Sequence, residues 1–191
     1  MNEYLDVSEY IDYDHPEIVE LAKTLAKDKQ NDIGIAKACF EWVRDEIKHS
    51  WDYKLDPVTC KASDVLQHGT GYCYAKSHLL AALLRANNIP AGLCYQRLSI
   101  NDDGAPYSLH GLNAVYLKDV GWYKIDARGN KLGVDAQFVP PKEQLAFPIS
   151  EVNEKDFPDI LAEPHRVIVE ALTKYQTVKE VFENLPDTKE L

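Results

Sequence analysis

The stretch Gly69-Thr-Gly-Tyr-Cys-Tyr-Ala-Lys-Ser-His-Leu-Leu-Ala-Ala-Leu-Leu-Arg85 decides the fold, because a loop broken by two glycines runs straight into an apolar segment. Apolar residues cover most of a helix from about Tyr72 to Asn87, so we expect this helix to be buried on several sides. Cys73 stands where the loop meets the helix. The unpaired N–H groups and partial positive charge of a helix N-terminus stabilise a thiol as the nucleophilic thiolate. The rest of the chain is therefore expected to build a site around Cys73.

Two amphipathic helices are predicted before this stretch. Pro16 suits the first turn of a helix that runs to about residue 29. Asn31 or Asp32 can cap a second helix, over about 33–49, whose apolar residues recur at steps of three and four. Shorter elements are expected between this helix and the cysteine: a loop over 50–61 and a helix over 64–67 capped by Ser63.

The pattern changes to strands after the central helix, which Asn87-Asn88 and Pro90 end. Extended segments are predicted at about 91–100, 109–117 and 122–127, with a turn at 101–104 and a hairpin connection at 118–121. Later segments indicate edge strands interrupted by proline near 138–141 and 144–148, then closing helices at about 164–175 and 177–184. Helices followed by an antiparallel sheet are typical of an α+β fold.

Two residues of the predicted hairpin fit the base and the orienting group that a cysteine nucleophile needs. His110 lies near the start of one strand, and Asp126 lies near the end of the next. Folding the segment about its hairpin connection brings the two residues together across the ladder. A carboxylate beside an imidazole raises the pKa of the ring and fixes its tautomer, so His110 can take the thiol proton of Cys73. Each residue alone also fits a structural role, but the three in this order indicate catalysis.

The sequence contains no pattern that indicates a metal or cofactor site. The six histidines are scattered without an HxH or HExxH pair, and the four cysteines show no CxxC spacing. A GxxxxGK[ST] phosphate loop is also missing. His78 is close to Cys73 in sequence, but five residues along a helix turn it well away from the sulfur. We therefore expect no metal and no cofactor.

The composition limits the partners that the chain is expected to have. A formal charge of −10, from 21 basic and 31 acidic residues, argues against unaided binding to nucleic acid or to anionic membranes. The N-terminus lacks a basic start followed by an apolar run, and no window approaches about 18 consecutive apolar residues. These features predict a cytoplasmic protein whose cysteines are free thiols. The oligomeric state has no signature in the sequence.

The segment Gly69–Ser77, together with the leucine-rich helix and Asn88-Ile-Pro-Ala91, resembles the cysteine motif of the transglutaminase-like superfamily. Leu109-His110 and Gly121-Trp-Tyr-Lys-Ile-Asp126 resemble its histidine and aspartate motifs. The resemblance covers roughly residues 33–130. It implies a papain-like fold, in which N-terminal helices and the nucleophile helix pack on an antiparallel β-sheet.

The resemblance also implies acyl transfer through a thioester, with Cys73 as nucleophile, His110 as base and then acid, and Asp126 as the residue that orients the imidazole. Many members have an aromatic residue just after the histidine, as in His-Ala-Trp, whereas this chain has Gly111-Leu-Asn113. The walls of the acyl site are therefore expected to differ from those of such members, and no substrate is carried over.

Acyl transfer requires hydrogen-bond donors for an oxyanion, and the backbone N–H of Cys73 is the natural first donor. Gln67, six residues upstream, is similar in spacing to the oxyanion glutamine of papain-like proteases. It fits equally well as a polar residue that ends a short helix. Trp51 can line the cleft or pack against the sheet, and Tyr72 and Tyr74 flank the nucleophile where either can edge the pocket.

The leading interpretation is a single domain over residues 1–191, with a core at about 33–130 and a C-terminal extension at about 131–191. The expected activity is acyl transfer from the amide bond of a peptide, a protein or a small molecule. Water or an amine can resolve the thioester, which gives hydrolysis, deamidation or cross-linking. An arylamine N-acetyltransferase-like reaction is an alternative, because Gly71-Tyr-Cys-Tyr74 is similar to that family's cysteine motif. A non-catalytic binding or scaffold module of the same fold is a second alternative.

Overall fold

The computed structural model describes residues 1–101 and 103–191, and its described part holds helices and strands in the predicted order. The α-helices are α1 (Pro16–Ala26), α2 (Asp32–Glu46), α3 (Ser50–Tyr53), α4 (Ala62–His68), α5 (Cys73–Ala86), α6 (Arg166–Lys174) and α7 (Val178–Glu183). The strands are β1 (Lys48–His49), β2 (Thr70–Gly71), β3 (Ala91–Ser99), β4 (Tyr107–Leu117), β5 (Gly121–Ile125), β6 (Gln137–Val139), β7 (Lys142–Gln144) and β8 (Lys155–Asp156).

Helix α5 forms the centre of the core, between α1, α2 and α4 on one side and strands β3 and β4 on the other. Every residue from Cys73 to Arg85 is buried, as the apolar pattern predicts. Full burial of each of its leucines contributes about 1.5–3 kcal/mol to folding. The helix ends where Asn88 takes a left-handed backbone conformation, with φ +58°, ahead of Pro90. Within the described residues, none of the helices is both long and apolar enough to cross a membrane.

The principal sheet is antiparallel and has the strand order β5-β4-β3-β8. Strand β3 pairs with β4 over its whole length, so that Gln96 lies opposite His110. The Asn113 side chain joins this sheet to α5, donating to the carbonyl oxygens of Ser77 at 2.9 Å and Gly92 at 3.2 Å. The three long strands agree with the prediction to within two residues. The turn predicted at 101–104 includes Asp102, which lies outside the described residues.

Several local expectations are wrong. Ser63 does not cap α4, which begins at Ala62, two residues earlier than predicted, after Lys61. Its hydroxyl and N–H instead donate to the Asp12 carboxylate at 2.5 and 3.0 Å, so the side chain joins the N-terminal segment to α4. The segment predicted as a loop over 50–61 contains the short helix α3. Strands β1, β2 and β8 were not predicted, because two residues are too few to show a period.

The C-terminal extension packs against the core at several points. Strands β6 and β7 pair with each other in a small antiparallel sheet, where proline-interrupted edge strands were predicted. The two closing helices form as predicted, and a capping box between Thr177 and Glu180 begins α7. The chain then crosses the start of β4, where the N–H of Leu109 donates to the carbonyl of Pro186 at 2.8 Å. The extension therefore reaches the strand that carries His110.

His78 is buried on α5, away from Cys73, as the helical spacing predicts. Its Nδ1 lies 2.7 Å from the carbonyl oxygen of Cys60. Burial lowers the pKa of His78 to about 4, although the Cys60 carbonyl partly offsets that effect. The ring is therefore neutral in the folded protein at neutral pH.

His78 is expected to make folding sensitive to acid. The unfolded chain takes up a proton at this residue below about pH 6.5, whereas the folded chain resists protonation down to about pH 4. The free energy of unfolding should therefore fall as pH drops through this window, by about 3 kcal/mol from this residue. His78→Asn keeps a donor for the Cys60 carbonyl but does not titrate, so its decrease over the same range should be smaller. Denaturant titrations at pH 4.5, 5.5 and 6.5 measure the difference, and equal decreases in both proteins would contradict the assignment.

Candidate active site

Glycines place Cys73 at the start of α5. Gly69 ends α4 in a left-handed conformation, with φ +65°, and the chain then forms β2 beside β1. A Cβ on Gly71 would lie 3.2 Å from both the Ala75 Cβ and the Thr59 hydroxyl, so the turn into α5 is tightly packed. Tyr72 precedes the helix without a capping side-chain hydrogen bond. The side chain before α5 therefore accepts no hydrogen bond from the first-turn N–H groups of the helix.

The sulfur of Cys73 lies against strand β4. Its Sγ accepts the N–H of Gly111 at 3.4 Å, and Cys73 is close enough to His110 to help raise the pKa of that imidazole. Only 7% of Cys73 is exposed, and this fraction faces a cavity of about 720 Å³ that His110 also lines. The structure thus brings the predicted nucleophile and the predicted base to one opening.

His110 binds Asp126 across the β4–β5 hairpin, with 2.7 Å between Nε2 and Oδ2. The ladder pairs Asn113 with Ile125, so Asp126 lies diagonally across from His110 rather than directly opposite. The carboxylate reaches the ring because β5 ends at Ile125 and the chain turns there. Since Nε2 is occupied by Asp126, Nδ1 is left to exchange a proton with Cys73.

Hydrogen bonds from the backbone keep the fully buried Asp126 ionised. Its Oδ1 accepts the N–H of Arg128, and its Oδ2 accepts the N–H of Ala146, both at 3.1 Å. Burial alone would raise the pKa of Asp126, but the His110 imidazole and these two N–H groups outweigh it, and the pKa is lowered. Ala146 belongs to the C-terminal extension, and its role could not be predicted from its residue type because it contributes only a backbone group.

The pairing of His110 with Asp126 also favours the charged form of His110. Burial opposes protonation of the ring, but the negative charge of Asp126 and the proximity of Cys73 outweigh it, so the pKa of His110 is raised. Phe147 packs edge-on against the imidazole, with 5.1 Å between ring centroids. This contact restricts the ring to the plane in which it meets Asp126. The arrangement can therefore hold a thiolate beside an imidazolium.

The flanking aromatic residues hold the extension against the cavity. Trp51 lines the cavity but stacks on Phe182 of α7, with 3.6 Å between ring centroids, rather than on the sheet. Tyr72 donates its hydroxyl proton to the Val178 carbonyl at 2.6 Å. Tyr74 donates to the Leu109 carbonyl, next to His110. All three predicted aromatic residues thus lie at the cavity.

Gln67 is the predicted site residue that the structure places elsewhere. Its side chain is exposed in the last turn of α4, and it does not line the cavity. The reason is helical geometry. Val65 faces the core, and a residue two positions further along an α-helix points to the opposite side. The role of oxyanion donor for Gln67 is therefore withdrawn.

The cavity also contains polar residues that the sequence did not single out. His49 and Asp52 lie on its wall, beside Arg128. Asp52 accepts two hydrogen bonds from the Arg128 guanidinium, at 2.7 and 3.1 Å, and one from Lys131 at 2.9 Å. These charges lower the pKa of Asp52 to about 2 against the effect of its burial. Residues 1–101 and 103–191 hold no group of three His, Cys, Asp or Glu side chains suited to a metal ion.

Close packing around Gly111 explains why this chain departs from the histidine motif, in which an aromatic residue often follows the histidine. A Cβ at this position would lie 2.9 Å from the Tyr74 ring and 3.0 Å from the Tyr74 Cα, which is closer than packed atoms tolerate. A larger residue after His110 would therefore push the first turn of α5 away from β4.

Gly111→Ala is expected to separate the thiol from its base. The variant should lose about 1–3 kcal/mol of stability through overpacking, and its Cys73 should react more slowly with iodoacetamide at pH 7. Peptide mapping after timed alkylation measures the rate. Gly34→Ala, on α2, is the matched control and should leave that rate unchanged. A wild-type rate in Gly111→Ala would show that the close contact with Tyr74 does not set the position of the sulfur.

Comparisons with known proteins agree with this architecture. The model of the transglutaminase-like superfamily matches residues 19–127, which is more than half of the chain. The chain is similar to a protein from Cytophaga hutchinsonii, provisionally described as a cysteine protease, with a TM-score of 0.52 and 23% identity over 65% of this chain and 40% of that one. It is also similar to the periplasmic domain of TgpA from Pseudomonas aeruginosa, with a TM-score of 0.48 and 18% identity over 65% of this chain and 45% of that one.

The chain spans less than half the length of these two solved structures. A search of curated proteins found no match to it. The matched residues extend from α1 through the strand that ends before Asp126, and they include the helix that begins at Cys73. The fold is the predicted α+β, papain-like arrangement of helices on an antiparallel sheet. This chain therefore belongs to the transglutaminase-like superfamily.

Proposed function

We propose that this protein is a cysteine-dependent acyl-transfer enzyme that acts on amide bonds through a thioester. Cys73 is the nucleophile, His110 is the base and then the acid, and Asp126 orients the imidazole. The observation that carries the proposal is that one cavity receives the helix-start thiol and the His110 ring, while Asp126 holds that ring from behind. A packed structural cysteine would not need a buried, hydrogen-bonded imidazole at its sulfur.

The reaction begins with attack of the Cys73 thiolate on the carbonyl carbon of an amide. A carbon–sulfur bond forms, and the carbonyl electron pair moves to oxygen, where the N–H of Cys73 can stabilise the charge. When the tetrahedral intermediate collapses, the carbon–nitrogen bond breaks and His110 gives its proton to the leaving amine. A thioester on Cys73 remains.

Water or a second amine then attacks the thioester carbonyl and gives its proton to His110. The carbon–sulfur bond breaks, the acyl group leaves as an acid or a new amide, and the thiolate–imidazolium pair is restored. Hydrolysis, deamidation and cross-linking thus share Cys73, His110 and Asp126, and they differ only in the amide attacked and the group that accepts the acyl chain.

The cavity is large enough for an acyl group and the adjoining part of the peptide, protein or small amide that carries it. Its volume of about 720 Å³ lies within the range of about 300–1,000 Å³ that is usual for ligand sites. Trp51 and Phe147 supply apolar walls, and Arg128 and Lys131 supply charge at one side. This mixture suits a substrate with an apolar portion and polar backbone groups.

We also propose that residues 1–191 form a single domain. Three hydrogen bonds support this: Ala146 to Asp126, Tyr72 to Val178, and Leu109 to Pro186. Each joins the extension to the core at the cavity, so removing the extension would expose the site. The four cysteines are free thiols, which suits the reducing cytoplasm that the sequence predicts.

The proposal predicts a covalent acyl-enzyme on Cys73. Intact mass spectrometry after mixing with p-nitrophenyl acetate, a glutamine-containing peptide or acetyl-coenzyme A should reveal one added acyl group in the wild type. Cys73→Ala should gain none, because the attacking sulfur is gone. A peptide-derived adduct supports amide chemistry, whereas an adduct from acetyl-coenzyme A alone favours the N-acetyltransferase-like alternative.

Cys60→Ala is the matched control for this experiment. Cys60 is as little exposed as Cys73, at 7%, but burial raises the pKa of its thiol to about 12. The control should therefore acquire the acyl group at the wild-type rate. A wild-type protein that forms no adduct with any donor would contradict the proposal and favour a non-catalytic binding module.

A further inference from the structure

The proposed reaction generates an oxyanion that requires more than one hydrogen-bond donor. The N–H of Cys73, at the start of α5, is the first donor. Gln67 was the predicted second donor, but it is exposed and outside the cavity. Another polar side chain of the cavity must therefore face the carbonyl oxygen if the site is complete.

His49 occupies the strand that lies beside the approach to Cys73. It pairs with Gly71 in the parallel β1–β2 ladder, two residues before the nucleophile. Only 8% of His49 is exposed, and the residue lines the same cavity as Cys73. Its ring meets the Tyr72 ring edge-on, with 5.6 Å between centroids. The imidazole is therefore fixed at the side of the cavity from which the cysteine loop enters.

Backbone contacts hold His49 in this position from both sides. The N–H of Lys48 donates to the Gly69 carbonyl at 3.0 Å. The buried Lys76 Nζ donates to the Ile47 carbonyl, immediately before the strand. The two contacts tie β1 to the helix that carries the nucleophile, so His49 and Cys73 share one rigid frame.

The hydrogen-bonding capacity of His49 is not used by its neighbours. Its buried Nδ1 has no partner among the described residues. The nearest carboxylate oxygen, Asp52 Oδ2, is 3.8 Å away, beyond hydrogen-bond distance, and is taken up by Arg128. Buried side-chain nitrogens are usually satisfied, so the unsatisfied Nδ1 of a residue that lines the cavity calls for an explanation, and a catalytic role is one.

The charge state of His49 suits a donor rather than a base. Burial lowers its pKa well below the ordinary value, and Arg128, Lys76 and His110 act in the same direction against Asp52. The ring is neutral at neutral pH, carries one N–H, and does not supply a proton to the Cys73 thiolate. His110 has the opposite balance, because Asp126 favours its charged form.

We propose that His49 donates the second hydrogen bond of the oxyanion hole, beside the N–H of Cys73. The inference rests on the proposed acyl transfer and adds a residue to it. In the tetrahedral intermediate, the neutral imidazole holds the negative oxygen while His110 carries the proton that the leaving group will take.

Two reactions of the same thiolate test this role. Acetylation of Cys73 by p-nitrophenyl acetate passes through a tetrahedral oxyanion and releases p-nitrophenolate, whereas alkylation by iodoacetamide displaces iodide without one. His49→Ala should slow acetylation by about 10²–10³-fold and leave the alkylation rate unchanged. His49→Gln, which keeps an N–H donor, should recover part of the acetylation rate. His68→Ala replaces an exposed histidine outside the cavity and should behave as wild type in both reactions.

Each contrary result has a separate meaning. Equal acetylation rates in wild type and His49→Ala would overturn the inference. Parallel losses of acetylation and alkylation in both His49 variants would assign His49 a structural role and would also overturn it. A loss in Trp51→Phe, with His49→Ala active, would assign the donor to the indole N–H. A wild type that is alkylated but never acetylated would overturn the proposed function itself, and with it the role of His49.

Discussion

The buried carboxylate of Asp126 is the constraint on which the site depends. An ionised side chain removed from water is tolerated only when its oxygens are hydrogen-bonded. Three donors meet this demand, and they come from different parts of the chain: the His110 ring, the backbone after β5 and the C-terminal extension. The position of the imidazole is thereby linked to the end of the hairpin and to residues twenty positions further along the chain.

The C-terminal extension is part of the site rather than an appendage. Its Ala146 binds Asp126, its Phe147 restricts the His110 ring, and its helix α7 supplies the Phe182 ring on which Trp51 stacks. The extension also covers the N–H of Leu109, next to His110, with the Pro186 carbonyl. Part of the cavity wall therefore comes from residues beyond the 19–127 that the superfamily model matches, whereas the helix and hairpin that carry Cys73, His110 and Asp126 lie within it.

Much of this could be predicted because it depends on strong local patterns. The apolar circumference of α5 and its glycine-broken start located Cys73, and the alternation of two strands located His110 and Asp126 on one hairpin. The remaining features depend on tertiary geometry. The spacing that favoured Gln67 did not include the phase of α4, which turns that side chain to solvent. His49 lies on a two-residue strand with no period, and Ala146 contributes a backbone group, so neither had a signal in the sequence.

The two histidines of the cavity have pKa values shifted in opposite directions: Asp126 favours the charged form of His110, and burial keeps His49 neutral. We propose that Asp126 keeps the His110 imidazole charged and in place beside Cys73. The most direct test is the rate of Cys73 alkylation by iodoacetamide at pH 7 in wild type and Asp126→Asn. The rate should fall on the order of 10²-fold in the variant, because His110 loses the carboxylate that favours its charged form. Equal rates in the two proteins would contradict the role of Asp126.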